Sequence, residues 1–392
     1  MKRKYVFFIL ILALWAVQGN AQVQSTVSLT TSIDDNASRN YTQNEDVISQ
    51  ANMDISKAWK SWDWRGSFYY DGYFNHFSDN TDRTFHIHQL GITSQRNVGS
   101  ANGLFSLGGA FMFRMDKEAY NVYDFTDFSG YANLKLPVEG FGLFYAGYKI
   151  RGRSYANLSE LSHWEHLFFS RLNFSLPSRT TFILSSELGY KNYVSQVVAE
   201  EILPTEEQGQ SRGGRGGYNS IVYTEVDNPS VGQWVNSVRI SQSLFNKAGL
   251  SSYLRGRTNF GEQGRFLTGV DTGYYTEDEL YDDRYGYESI ETGVMFSSLL
   301  PLSTMVRLGY DHYDKTYQRL ALDLEGIALP GDIVREDIRK QFWTRLEKPF
   351  QAKKLGLDLK LYLEYLKIQN ESNDPYYNFE ANISTLGMEV NF

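Results

Sequence analysis

The sequence contains no cysteine. A lipid anchor on cysteine, a disulfide framework, a thiolate metal site and a cysteine nucleophile are therefore all excluded. After residue 21 the chain also lacks any apolar run of the ~20 residues that a membrane-spanning helix needs. Basic residues are fewer than acidic residues, 38 against 46, and the resulting net charge of −8 disfavours nucleic acid as a partner.

Apolar residues are scarce for a chain of 392 residues. They make up 42% of the sequence, below the ~45–50% that is usual for soluble domains. Aromatic residues nevertheless reach 15%, with 28 tyrosines and 25 phenylalanines. A transmembrane β-barrel has both properties, because only every second residue of its wall faces lipid and because aromatic residues collect at the two membrane interfaces.

The first residues have the pattern of a secretory signal peptide. A positively charged start at residues 1–4 precedes an apolar stretch from Tyr5 to about Val17. Gly19 and Ala21 then supply the small residues that signal peptidase requires, so we expect residues 1–21 to be removed. The apolar stretch is well short of the ~20 residues of a membrane anchor.

From residue 63 onward, polar and apolar residues alternate with the period of two that is typical of β-strands. In Leu355–Tyr365, for example, leucines occupy every second position, whereas Asp358, Lys360 and Glu364 lie on the other face. The polar face repeatedly carries charges that are separated by small residues. The core of a soluble sheet would be apolar and filled, so this pattern predicts a wet lumen.

Short connections alternate with long polar ones along the chain. In membrane barrels of this kind, the short turns face the periplasm and the long loops face the outside. The short connections are 99–103, 136–142, 176–181, 246–249 and 300–303, and the long ones are 34–46, 196–232, 277–284 and 318–337.

The number of strands follows from this alternation together with a parity rule. Seventeen strand-like segments can be counted, but bacterial single-chain barrels have an even number of strands. Because the face assignment continues in phase from 249–260 into 265–276, we merge these segments into one long strand, although 261–264 resembles a turn. The sequence therefore predicts an all-β protein, in which residues 22–392 form a single antiparallel up-and-down transmembrane β-barrel. We expect about sixteen strands, with fourteen and eighteen as alternatives.

The C-terminal end supports this fold. Phe392 is the last residue, and Val390, Met388 and Leu386 precede it at every second position. This end resembles the insertion signal of Gram-negative outer-membrane β-barrel proteins of the porin-like class. The resemblance implies a location in the outer membrane, contact with its lipid, and recognition of Phe392 by the barrel-assembly machinery.

The predicted inner face carries more basic than acidic residues. Fixed charges on a low-dielectric wall bias which ions enter a pore. We therefore expect a channel for passive diffusion of small hydrophilic solutes, with a weak preference for anions. The candidate pore-lining residues are Arg65, Arg114, Lys149, Arg151, Arg153, Arg171, Arg255, Arg257, Glu291, Arg307, Arg345, Asp358, Lys360 and Glu364.

Two groups of like charges stand out among these candidates. Lys149, Arg151 and Arg153 share one strand face, and Arg255 and Arg257 share another. Neighbouring cations repel one another unless acids or anionic solutes lie opposite. One hypothesis is that they line the constriction of the channel, and the alternative is that they pair with Glu187 or Glu291.

The sequence gives little support for metal binding, a cofactor or catalysis. His86 and His88 have a spacing that can hold a metal, but no carboxylate completes the set. We expect them, like His163 and His166, to lie near the lipid headgroups, although the alternation around His86 does not assign a face. No nucleophile elbow, zinc-protease motif or phosphate loop is present, so we expect no enzyme and no cofactor.

Two alternative functions remain open. The first is a structural or partner-dependent barrel whose lumen is plugged, since Gln196–Gly232 is long enough to fold inward and the acidic Asp278–Asp283 could bind partners or cations. The second is a hydrolase at the rim of the barrel. Sixteen-stranded porins are often trimers, and this resemblance leaves a homo-oligomer open, although the sequence identifies no flat outer face for one.

Overall fold

The computed structural model describes residues 23–99, 102–194, 221–222, 229–262, 264–267, 282–352 and 357–392. The expected signal peptide at 1–21 lies outside these ranges. Sixteen antiparallel strands pair with their neighbours in chain order, and the first strand pairs with the last, so that the sheet closes into a barrel.

The barrel strands are β1 (Val23–Asp34), β2 (Asp46–Ser61), β3 (Trp64–Phe77), β4 (Phe85–Val98), β5 (Gly103–Asp116), β6 (Phe125–Val138), β7 (Gly142–Tyr155), β8 (His163–Ser175), β9 (Thr180–Tyr193), β10 (Ser230–Phe245), β11 (Ala248–Gly261), β12 (Tyr287–Leu300), β13 (Thr304–Leu320), β14 (Val334–Ala352), β15 (Leu357–Ser372) and β16 (Phe379–Asn391). The closed up-and-down barrel of sixteen strands confirms the predicted fold class.

One predicted strand is wrong in its extent. The long strand expected over 249–276 ends at Gly261, whose φ of +91° lies in the left-handed region that stops the ladder. Phe266–Leu267 instead pairs with Ile221–Val222 in a separate two-stranded sheet. The merge kept the correct number of strands, although residues 268–281 lie outside the described ranges.

The connections have the predicted alternation of length. At one end of the barrel, turns such as 139–141 and 246–247 join neighbouring strands directly. At the other end, longer connections carry most of the short 3₁₀ turns, and none of the helical segments in the described ranges is long and apolar enough to cross a membrane. In the described ranges, the turns at this end are Thr81–Arg83, Glu118–Tyr123, Ser159–Leu161, Arg284–Gly286 and Pro375–Tyr377, whereas Pro301–Ser303 lies at the end with the short connections.

The pairing register assigns each strand residue to a face, because residues directly opposite one another in an antiparallel pair point to the same side. The outward face is apolar and exposed, as Phe68, Leu254 and Leu363 illustrate. The inward face carries charged pairs such as Arg255 opposite Glu291. This polarity is the reverse of that of a soluble sandwich, whose apolar faces are inside.

The buried apolar residues lie inside the barrel at the end with the long connections. One cluster includes Phe77, Phe85 and Ile87, and a larger one surrounds Tyr285. Because Phe85 and Ile87 point inward, the residues between and after them point outward. The polar–apolar alternation is therefore interrupted around His86 because Phe85 and Ile87 are apolar residues that pack inside the barrel beneath the loops.

Candidate functional site: the charged lumen and its inward segment

The connection between β11 and β12 ends in a short stretch that enters the barrel. We call Asp282–Gly286 the inward segment. Its side chains bind two separate parts of the wall, one on β8 and β9 and the other on β13 and β14. Three strands, β10 to β12, lie between these parts in the sheet order. The segment therefore crosses in front of those strands and narrows the lumen.

Asp282 holds one end of the inward segment. Its carboxylate lies 2.9 Å from the Lys315 ammonium and 3.4 Å from the Arg339 guanidinium, and it accepts a hydrogen bond from the Tyr317 hydroxyl. Burial alone would raise the pKa of this carboxyl, but Lys315, Arg339 and Arg335 together outweigh burial and hold the pKa below its ordinary value. Asp282 is therefore charged at neutral pH.

The other end is held by Asp283, Arg284 and Tyr285. Asp283 pairs with Lys191 and also accepts a hydrogen bond from the backbone N–H of Tyr285 at 3.2 Å. Arg284 pairs with Glu165, and the Tyr285 hydroxyl donates to the same carboxylate at 2.8 Å. The Tyr285 ring is buried in the larger apolar cluster, and this burial raises the pKa of its hydroxyl.

The register puts all fourteen candidate pore-lining residues on the inward face. They nevertheless differ in their access to the lumen. Arg114, Arg153 and Glu291 are each at most 3% exposed. Arg114, for example, makes two hydrogen bonds of 2.8 Å to Asp116 and lies 3.8 Å from the centre of the Phe85 ring. The alternation gives the face of a residue, but it does not show whether loops cover it.

Most of the other candidates belong to ion pairs. Arg255 and Arg257 both bind Glu291, at 2.8 and 2.6 Å. This is one of the two partners that the sequence suggested, whereas Glu187 lies near Arg284 instead, at 3.9 Å. The remaining pairs are Arg151 with Glu165 and Asp127, Arg153 with Asp127, Arg307 and Arg345 with Glu347, Arg345 with Glu364, and Lys360 with Glu389.

Three candidate cations have no carboxylate partner among the described residues. They are Arg65 on β3, Lys149 on β7 and Arg171 on β8. Lys149 lies 5.5 Å from the centre of the Phe169 ring, and Arg171 lies 4.6 Å from that of Tyr145. In the sequence, nothing distinguished these residues from their paired neighbours. All three point into the lumen.

Two cavities that are lined by described residues lie on this side of the lumen. The first, of about 580 Å³, lies between the inward segment and the wall at Tyr69, Tyr131 and Lys149. The second, of about 600 Å³, extends to Lys60 and Arg65 near the end with the short turns. Tyr131 lines both cavities.

Several inner glycines have an aromatic ring of the neighbouring strand lying across them. A Cβ at Gly293 would overlap the Tyr253 ring, and the same holds for Gly309 beneath Trp343 and for Gly387 beneath Tyr362. In a strand, glycine marks a place where another group approaches the backbone closely. These rings thus lie against the inner wall.

The histidines make local contacts on the two faces. His86 and His88 point outward and lie 2.9 Å apart, measured between ring nitrogens, and His88 also contacts the Tyr70 hydroxyl at 2.7 Å. His166 contacts the Tyr148 hydroxyl on the outer face, while His163 is buried inside. Within the described ranges, no three His, Asp or Glu side chains are grouped to hold a metal ion.

The sequence did not predict the inward segment. It indicated an acidic loop over Asp278–Asp283 that could bind partners or cations, of which only Asp282 and Asp283 are described. The signal that could have revealed it is the run Asp282 to Tyr285, which combines both charges with an aromatic ring inside a polar loop. The loop that is long enough to plug the lumen in the alternative function, Gln196–Gly232, lies almost entirely outside the described residues.

No protein-family model matches the sequence, and a search of curated proteins found no significant match. Among solved structures, Pseudomonas aeruginosa OccK8 (OprE) is 10% identical and has a TM-score of 0.51, with 95% of this chain and 98% of that chain covered. P. aeruginosa OpdK with vanillate is 8% identical and has a TM-score of 0.46, with 94% of this chain and 99% of that chain covered. Acinetobacter baumannii OccAB1 is 8% identical and has a TM-score of 0.47, with 95% of this chain and 96% of that chain covered. The likeness to OccK8 shows the fold alone, and at that level it agrees with the porin-like barrel class predicted from the sequence.

Proposed function

We propose that this chain is a porin-like channel of the Gram-negative outer membrane, through which small hydrophilic solutes diffuse passively. The observation that carries the proposal is the polarity of the closed sheet, which is apolar outside and charged inside. A barrel of sixteen strands is wide enough to hold an aqueous bore. The cavities of about 580 and 600 Å³ that described residues line favour passage over a filled barrel.

The outer surface supports a location in lipid. Trp59 and Trp64 lie near the end with the short turns, where Arg96 stacks on the Trp64 ring at 5.0 Å. Trp164 and Trp234 are exposed near the other end of the barrel, where the long connections lie. Two such aromatic girdles flank the apolar band of outer-membrane barrels.

The finer part of the proposal is a weak preference for anions. The acids of the inward segment are neutralised by Lys191, Lys315 and Arg339. They therefore do not offset Lys149, whose ammonium lines the cavity beside the segment without a carboxylate partner among the described residues. A net positive wall raises the local concentration of anions in a narrow lumen.

Insertion and assembly are also part of the proposal. Phe392 follows β16, and its backbone N–H donates to the Ser25 carbonyl at 3.0 Å. We expect the barrel-assembly machinery to recognise this end. The proposal includes no enzymatic step.

Single-channel recording of the refolded mature protein in a planar bilayer tests the proposal. We expect large, stable steps in the single-channel current. Under a salt gradient, we expect the reversal potential to be displaced toward the equilibrium potential of the anion. Lys149→Gln should reduce this displacement, whereas Lys348→Gln, on the outer face beside Phe350, should leave it unchanged. Silence from folded, heat-modifiable protein would overturn the channel function. A cation-leaning reversal potential would overturn only the anion preference.

A further inference from the structure

Two tyrosine rings lie across the inner wall beside the inward segment. Tyr69 of β3 lies over Gly91 of β4, and Tyr131 of β6 lies over Gly108 of β5. A Cβ on either glycine would overlap the ring above it. Because β4 and β5 are neighbours in the sheet, the two rings extend toward each other from opposite sides and cover the same part of the wall.

These rings are held in place before any solute arrives. The Gln89 side-chain amide donates to the Tyr69 hydroxyl at 3.2 Å, and each ring lies against the glycine of the neighbouring strand. Both side chains remain partly exposed to the lumen. A surface that is already ordered loses little entropy when a ligand binds to it.

The first lumen cavity lies directly on this pair of rings. Its volume of about 580 Å³ is bounded on the opposite side by the inward segment. Polar groups surround the rings, among them Gln89, Ser129 and Lys149. The cavity therefore combines an aromatic floor with hydrogen-bonding groups around its edge, as specific small-molecule sites do.

This combination matches a sugar ring. A pyranose has C–H groups on its flat faces and hydroxyls around its circumference, so that it can stack on an aromatic surface while its edge makes hydrogen bonds. An open-chain polyol carries the same hydroxyls but has no rigid face. The volume lies within the ~300–1,000 Å³ of known ligand sites and accommodates a mono- or disaccharide.

We propose that the pair Tyr69 and Tyr131 forms a stacking site for pyranose rings, so that this channel favours saccharides among small hydrophilic solutes. The inference rests on the proposed channel function and names a substrate class for it. It is independent of the anion preference, because a neutral sugar stacks through its ring face and needs no charge.

Single-channel current in the presence of glucose or of sorbitol tests this inference without any variant. The two solutes have nearly the same size and hydroxyl content, but only glucose has a ring face. We expect glucose to interrupt the current of the wild-type channel for longer than sorbitol does. Equal interruptions by both solutes in a conducting channel would overturn the inference and leave the channel function intact, whereas a silent bilayer would overturn the channel function itself.

Variants then locate the site. Tyr131→Leu removes one ring, and we expect about a tenfold shorter interruption by glucose, since an aromatic contact contributes up to ~1.5 kcal/mol and ~1.4 kcal/mol corresponds to a factor of ten. Gly108→Ala should act in the same direction, because its Cβ displaces the Tyr131 ring. The matched control is Tyr362→Leu, which removes a ring over Gly387 on another part of the wall. If Tyr362→Leu weakens the glucose response as much as Tyr131→Leu does, the assignment to this cavity is wrong.

Discussion

Releasing the inward segment from the wall should widen the channel. The double variant Asp282→Asn, Arg284→Gln removes the charge at each end while keeping both side chains similar in size. The backbone and the buried ring of Tyr285 are left intact. The pair of Asp283 with Lys191 is retained as well. The variant therefore tests whether the Asp282 and Arg284 ion pairs help to hold the segment in the lumen.

The size of the effect follows from the burial of the two anchors. Asp282 and Lys315 have side chains that are 15% and 4% exposed, and breaking a buried pair of this kind costs about 3 kcal/mol, the lower end of the usual range. Arg284 is 33% exposed, so its pair with Glu165 contributes only ~1 kcal/mol. Their sum of ~4 kcal/mol corresponds to almost three powers of ten in the ratio of docked to released segment.

Planar-bilayer recordings measure this change directly. We expect the double variant to show a higher mean conductance and added current noise, because a loosely held loop moves in and out of the lumen on the microsecond to millisecond timescale. Lys340→Gln is the control, since it breaks an ion pair with Glu371 on the outside of the barrel. Conductance and noise identical to those of the wild type would refute the idea that the Asp282 and Arg284 ion pairs hold the segment in the lumen.

The other predictions concern pH, a buried carboxylate and a turn. The pKa of Asp282 is lowered in the folded state, so its stabilising contribution is present above pH ~4 and is lost as the pH falls through the folded-state pKa. The conductance of the wild-type channel should therefore rise in strong acid. In Asp282→Asn this rise should be much smaller. Glu291→Gln leaves Arg255 and Arg257 without their carboxylate and should lower the unfolding free energy by ~2–4 kcal/mol, seen as a lower urea midpoint in detergent; an unchanged midpoint would contradict it. Gly261→Val forces a branched side chain to a φ of +91° and should lower the unfolding temperature, with Gly256→Val on the same strand, where a Cβ meets no other atom, as the comparison.

The fold could be predicted from the sequence because a barrel wall repeats a simple pattern. Every second residue faces lipid, so the alternation located the strands and assigned Arg255 and Arg257 to the correct face. Where the pattern failed, the cause was local. Phe85 and Ile87 are apolar residues that point inward under the loops. The left-handed backbone of Gly261, which ends a strand, does not change the alternation of polar and apolar residues.

The candidate site was less predictable from the sequence, because the face of the sheet on which a residue lies and its position along the barrel axis are separate quantities. Alternation gives the face of a residue, whereas the partner of a charge depends on how far each strand is shifted along the barrel. Glu187 and Glu291 were therefore equal candidates until the register selected Glu291. Tyr285 and Glu165 are 120 positions apart, and no periodic signal connects a loop to a strand over such a distance.

The rings that lie over glycines have a consequence for the assembly of the barrel. Each one joins two neighbouring strands, such as Tyr253 with Gly293 and Tyr362 with Gly387. If a strand slipped by one residue, the ring would meet a different side chain and the glycine would turn toward lipid. These ring–glycine contacts therefore favour the native register of the strands while the sheet closes. An exchange of these rings would therefore alter the alignment of the strands as well as the surface that lines the lumen.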